Sequence, residues 1–187
     1  MNPLVVLAKL AVENYIREGK IIESPKDLPE EFLKRKAGAF VTIEKNGKLR
    51  GCIGTYLPTR INIVEEIIRN AIATATEDYR FGRIQVEELP YLLYTVYILS
   101  YPEPVKDLKK LDPKKFGIIV KTGSFTYPDQ ENAVFDGAVP YKTGLLLPDL
   151  EGVDTIEQQI SIACQKGGIE PTQEKIFIYR FTVEKYQ

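Results

Sequence analysis

Histidine is absent from this 187-residue chain. Its absence excludes the Ser-His-Asp and Cys-His forms of nucleophilic catalysis, and every metal site that needs an imidazole ligand. A general base within the chain must therefore be Asp, Glu, Lys, Tyr or a thiolate. Cysteine occurs only twice, at Cys52 and Cys164, too seldom for a four-cysteine zinc site and better read as two thiols than as a disulfide framework. No metal and no cofactor is expected. There is no run of eighteen apolar residues, and the stretch from Asn2 to Glu18 carries Lys9, Glu13 and Arg17 where a secretory signal would be apolar. The expectation is a cytoplasmic protein without a membrane span. Neither sign of charge dominates, with 25 Lys and Arg against 26 Asp and Glu, and this balance argues against a broad nucleic-acid footprint.

What the chain does contain is 44% hydrophobic residues, ordinary for a soluble protein of this length. Leu4, Leu7, Ala8, Ala11 and Tyr15 fall at helical spacing behind Pro3, with Gly19 as the stop. A short helix is predicted over 29–36. From Ala39 the period drops to two, and Asn46-Gly47 between Ala39–Glu44 and Leu49–Thr55 signals a hairpin. Asn62–Glu77 carries Val64, Ile67, Ile68, Ala71, Ile72 and Ala75 on one face and should form the best-defined helix, capped by Thr59 or Asn62. Strands are predicted over 92–99, 116–121, 144–147 and 175–184. A further helix over 155–165, with Glu157 in the capping-box position, places Cys164 in a core. Thr122–Thr143 has no clear period and reads as a long loop or insertion. Helices and hairpin strands mix without a βαβ rhythm, so the fold class is α+β.

Leu49-Arg50-Gly51-Cys52-Ile53-Gly54-Thr55 is the one stretch where a reactive side chain sits among glycines. Strand alternation sets Arg50 and Cys52 on one face, a cation beside a thiol. Gly51 and Gly54 leave backbone uncovered, which suits close packing or the approach of a ligand to main-chain amides. If residues 56–60 fold back, the positive end of the next helix would face the thiol, with Arg60 adding a second cation. Glu65, Glu66, Glu77 and Asp78 are the acid or base candidates nearest in sequence.

The string LRGCIGT resembles the hallmark of the AMMECR family. AFVTI at Ala39–Ile43, Arg80-Phe81 followed by EELPYL at Glu87–Leu92, LSYPEPV at Leu99–Val105 and GLLLP at Gly144–Pro148 extend the similarity over nearly the whole chain. The resemblance implies an antiparallel sheet flanked by helices, a second smaller lobe within a single domain over 1–187, and a cleft at the LRGCIGT segment. It also implies partnership with a Memo-like protein and a radical-SAM protein, as in the AmmeMemoRadiSam branch. Where relatives commonly read DPRFPP, this chain has Asp78-Tyr79-Arg80-Phe81-Gly82-Arg83.

The site expectation is thus Cys52 and Arg50 as catalytic candidates, with Gly51, Gly54, Thr55, Arg60 and Arg80 binding a ligand such as a small anion or a peptide. Three functional readings stand: a cysteine-dependent enzyme of a modification pathway, a non-catalytic binding or adaptor protein of that pathway, and an RNA-binding module.

Overall fold

The computed structural model describes residues 2–25, 28–123 and 141–187. The chain divides into two units, Met1–Tyr101 with Glu184–Gln187 and the smaller Pro102–Val183. Helices α1 (Pro3–Glu18), α2 (Glu30–Lys34) and α3 (Ile63–Thr76) belong to the first, with strands β1 (Ala39–Lys45), β2 (Lys48–Gly54) and β3 (Leu92–Leu99). The second holds β4 (Glu103–Pro104), β5 (Gly117–Lys121), β6 (Thr143–Leu146), α4 (Ile156–Gly167) and β7 (Phe177–Phe181), and β8 (Val183–Tyr186) follows. The fold is α+β, with sheets ordered β2-β1-β3-β8 and β4-β7-β5-β6. Residues 124–140 of the stretch read as an insertion lie outside the described residues.

In the first unit, Asn2 caps α1 by accepting from the Leu4 amide at 2.9 Å, and left-handed Gly19 ends it. Leu4, Leu7, Ala8 and Ala11 are buried on the face that the sequence period selected. β1 and β2 form the expected hairpin, closed by Asn46 and Gly47, both at positive φ, as a two-residue turn of the primed kind requires. β1 also pairs antiparallel with β3, so it is the central strand, and β2 is an edge. Val41, Ile43, Val96 and Ile98 meet α1 and α3 in one core.

Helix α3 is buried almost all round, and its polar residues explain how that is tolerated. Glu66, Asn70 and Thr74 recur at intervals of four, the spacing that puts them on one stripe, and all three are buried. Each satisfies backbone or loop groups of the adjoining hairpin, as described below.

The second unit has its own core of Ile118, Val120, Leu146, Ala163 and Cys164. Thr155 caps α4 in a reciprocal box with Gln158 (3.2 and 3.0 Å), so the partner is Gln158 and not Glu157. The predicted strand 175–184 is two strands. β7 lies in the second sheet and β8 in the first, a division that an unbroken alternation of aromatic and mixed residues conceals.

Candidate functional site

The LRGCIGT residues lie on β2, the edge strand, and the structure accounts for each of them. Gly51 pairs with Ile43 and Leu49 with Glu44, so Arg50 is the extra residue of a β-bulge. Simple alternation therefore does not relate Arg50 to Cys52. The bulge sends the Arg50 guanidinium to Glu88, with Nε–Oε2 and Nη2–Oε1 both 2.9 Å. Its remaining N–H groups reach the carbonyls of Phe81 (3.3 Å), Gly82 (3.1 Å) and Arg83 (3.3 Å). Five donors meet five acceptors, which is all a guanidinium has to offer. Lys45 adds a second cation on Glu88 at 2.9 Å. The Arg50 hydrogen bonds, opposed by burial and helped by the Gln85 amide and Lys45, pull the Glu88 pKa down to about 2. Arg50 thus anchors the loop over 81–88 and has no donor left for a substrate.

Cys52 is half-buried and faces Thr42 across the β1–β2 pair, with the Thr42 hydroxyl donating to its Sγ at 3.3 Å. Its backbone points outward from the sheet edge. The buried Asp78 carboxylate accepts the Cys52 N–H at 2.9 Å, and Arg80 Nη2 donates to the Cys52 carbonyl at 3.1 Å. Asp78 and Arg80 are themselves joined at 2.7 and 2.8 Å. The pair thus does for Cys52 what a neighbouring strand would do, and blunts the edge. Burial alone would raise the Asp78 pKa, but Arg80 and the Cys52 amide outweigh it and hold the carboxyl below its usual range. Arg80 is held charged chiefly by Asp78, and to a lesser degree by Cys52. The cation electrostatically coupled to the thiol is Arg80, supplied by the Asp-Tyr-Arg-Phe segment.

The two glycines are explained by contacts within the protein. A Cβ on Gly51 would come within 2.7 Å of the Thr74 carbonyl oxygen, and one on Gly54 would overlap the Ala39 carbonyl oxygen and the Phe40 ring. Beyond them, Glu66 collects the loop: its carboxylate accepts from Thr55 Oγ1 (2.6 Å), the Thr59 amide (2.7 Å), Thr59 Oγ1 (2.8 Å) and the Arg60 amide (2.8 Å). Amides downstream of Cys52 do converge on an anion, as the glycine-rich sequence suggested. That anion is the protein's own. Asn70 donates to the Ala39 carbonyl (2.9 Å) and Thr74 to that of Val41 (3.0 Å), completing the stripe.

The end of α3 beside Cys52 is the C-terminal one, because Thr74 abuts Gly51 and bonds the Ile53 amide at 3.1 Å. The N-terminus, capped by Asn62, sits instead where the Ile63 amide donates to the Arg35 carbonyl. The expected stabilisation of a thiolate by the positive helix end is reversed in sign. Arg60 lines two cavities whose walls do not include Cys52. Structure therefore gathers Cys52, Arg80, the acid candidate Asp78 and the unforeseen Thr42; it commits Arg50 to Glu88, Thr55 to Glu66, and places Arg60 elsewhere. The sequence signal for Glu66 was visible as polar residues at four-residue spacing inside an apolar helix. Glu88 carried no such signal.

The family model AMMECR1 matches residues 5–186. This chain belongs to the AMMECR1 family. An AMMECR1-family protein of Thermotoga maritima is 50% identical over 187 residues, covering 100% of this chain and 98% of its own. A Clostridium acetobutylicum protein is 39% identical over 99% of this chain, which spans only 35% of that longer protein. Protein PH0010 of Pyrococcus horikoshii, known from a crystal structure, superimposes with a TM-score of 0.80 at 33% identity, over 97% of this chain and 88% of that one. No helix among the described residues is long and apolar enough to cross a membrane.

Proposed function

We propose that this AMMECR1-family protein is a non-catalytic binding or adaptor component of a modification pathway, acting with a Memo-like protein and a radical-SAM protein. The observation that carries this reading is the internal commitment of the carboxylates around LRGCIGT. Glu88 is saturated by Arg50 and Lys45, Asp78 by Arg80 and the Cys52 amide, and Glu66 by the Thr55–Arg60 loop. Glu88 and Asp78 are held ionised far below neutrality, so they are poor acceptors for a thiol proton. The electronegative end of α3 disfavours a thiolate further. The Clostridium acetobutylicum relative, in which the matched region is about a third of the chain, is consistent with a domain that works beside other domains.

A cysteine-dependent enzyme is the second reading, favoured by the Thr42 hydroxyl on Sγ and by the coupling between Arg80 and Cys52. Alkylation of the folded protein between pH 6 and 9 separates the two. For an adaptor, Cys52 should label no faster than a model thiol across this range, with Arg80→Ala changing the rate little. Labelling at pH 6 that is much faster than a model thiol, and that Arg80→Ala slows, would overturn the adaptor reading.

A further inference from the structure

A second site, unrelated to Cys52, lies along the exposed flank of α3. A cavity of about 650 Å³ opens there between α3 and the extended segment that follows α1, within the roughly 300–1,000 Å³ typical of small-molecule sites. Ile68 and Ile72, one turn apart on α3, share its apolar lining with Tyr15 and Ile22. Ile21, also lining it, is 67% exposed, an apolar side chain the protein itself leaves uncovered.

Charged side chains also line the cavity: Arg60 and Glu65 by the N-terminus of α3, Arg69 and Glu77 towards its C-terminus, and Glu23 on the extended segment. A smaller cavity of about 450 Å³, lined by Lys36 among others, shares Arg60 and Glu65 with the first. The Arg60 guanidinium has no ion pair or hydrogen bond among the described residues, and Lys36 has no ion pair there, unlike Arg69, which Glu77 holds at 3.1 Å. The Arg60 main chain is held at the mouth of the cavity, because its amide is pinned on buried Glu66 at 2.8 Å. A guanidinium with its donors unspent is a receptor for a carboxylate. The Glu65 carboxylate, also without an ion pair among the described residues, sits in the same shared wall. A bare carboxylate would be repelled by it. A carboxylate with an N–H donor on the adjacent carbon satisfies both groups at once.

We propose that this trough binds an apolar amino acid acylated on its nitrogen, with side chain against Ile68 and Ile72, carboxylate on Arg60 and Lys36, and amide N–H on Glu65. A free acylated amino acid and the C-terminal residue of a peptide share this chemistry.

The experiment is an NMR titration of the full chain, following the amides of Arg60, Ile68 and Ile72, with N-acetyl-L-leucine, its carboxamide and the tripeptide acetyl-Ala-Ala-Leu. The acid should shift these amides and bind about tenfold or more tighter than the carboxamide, the discrimination expected of a charge-assisted contact. Arg60→Gln should abolish that preference, and Ile21→Asp should weaken every probe. Both side chains are exposed, so melting temperatures should stay at the wild-type value. A tripeptide binding tenfold tighter than the single residue assigns the site to a peptide terminus; equal affinities assign it to the free compound. Equal binding of acid and carboxamide, an unchanged preference in Arg60→Gln, or no shift by any probe at about 10 mM would overturn the proposal.

Discussion

The Glu88 carboxylate and the Gly51 and Gly54 hydrogens do more for the LRGCIGT hairpin than the thiol that draws attention to it. Glu88 titrates near 2 in the fold against an ordinary 4.5. A depressed folded pKa adds stability that is complete above the unfolded value and is lost as pH falls from about 4.5 towards 2. For a side chain only 15% exposed the loss should be on the order of 2 kcal/mol. Urea denaturation at pH 6 and pH 2.5 should therefore show wild type losing about that much more than Glu88→Gln. Gly51→Ala and Gly54→Ala should each destabilise by about 1–3 kcal/mol through overpacking against Thr74 and against Ala39 with Phe40. Thermal melts check this, and a variant with normal stability but impaired partner binding would restore a ligand role for the backbone. The motif itself was legible, since a thiol between glycines stands out in any reading. Asp78 was one of several nearby acid candidates, but neither it nor Glu88 could be assigned to β2 from sequence, because both reach it through tertiary geometry that no local period encodes.

Among the elements, α3 shows how far periodicity carries and where it stops. Its apolar face and its Asn62 cap follow from spacing, yet the stripe of Glu66, Asn70 and Thr74 is buried as deeply as the isoleucines. Removing the buried Glu66 carboxylate takes the shared acceptor from two amides and two hydroxyls of a loop whose Thr59 and Arg60 are exposed, so Glu66→Ala should cost about 1–3 kcal/mol. Hydrogen exchange should then accelerate first at the Thr59 and Arg60 amides. If protection there persists, another group satisfies that loop. The bulge could not be placed at Arg50 from sequence for a related reason: strand alternation assumes a regular ladder, and one inserted residue breaks it without altering the composition.

At the scale of the whole molecule, α+β was legible from the missing βαβ rhythm, whereas the presence of two sheets was not. Each unit has its own core, and Cys164 belongs to the second at 2% exposure, with burial raising its thiol pKa. Cys164→Ala should cost on the order of 1 kcal/mol in chemical denaturation and leave partner binding intact. Loss of binding at unchanged stability would point to a redox link with Cys52. The other whole-chain feature is β8, which joins the first sheet beside β3 although the entire second unit intervenes in sequence. Glu184 on β8 receives the guanidinium of Arg35, whose carbonyl holds the first turn of α3. Translation proceeds at about 5–20 residues per second, so the β3 edge waits several seconds on the ribosome before its partner strand is made. During that interval a nascent chain offers neighbouring polysomal chains an open strand, and the cell must shield it or accept some aggregation.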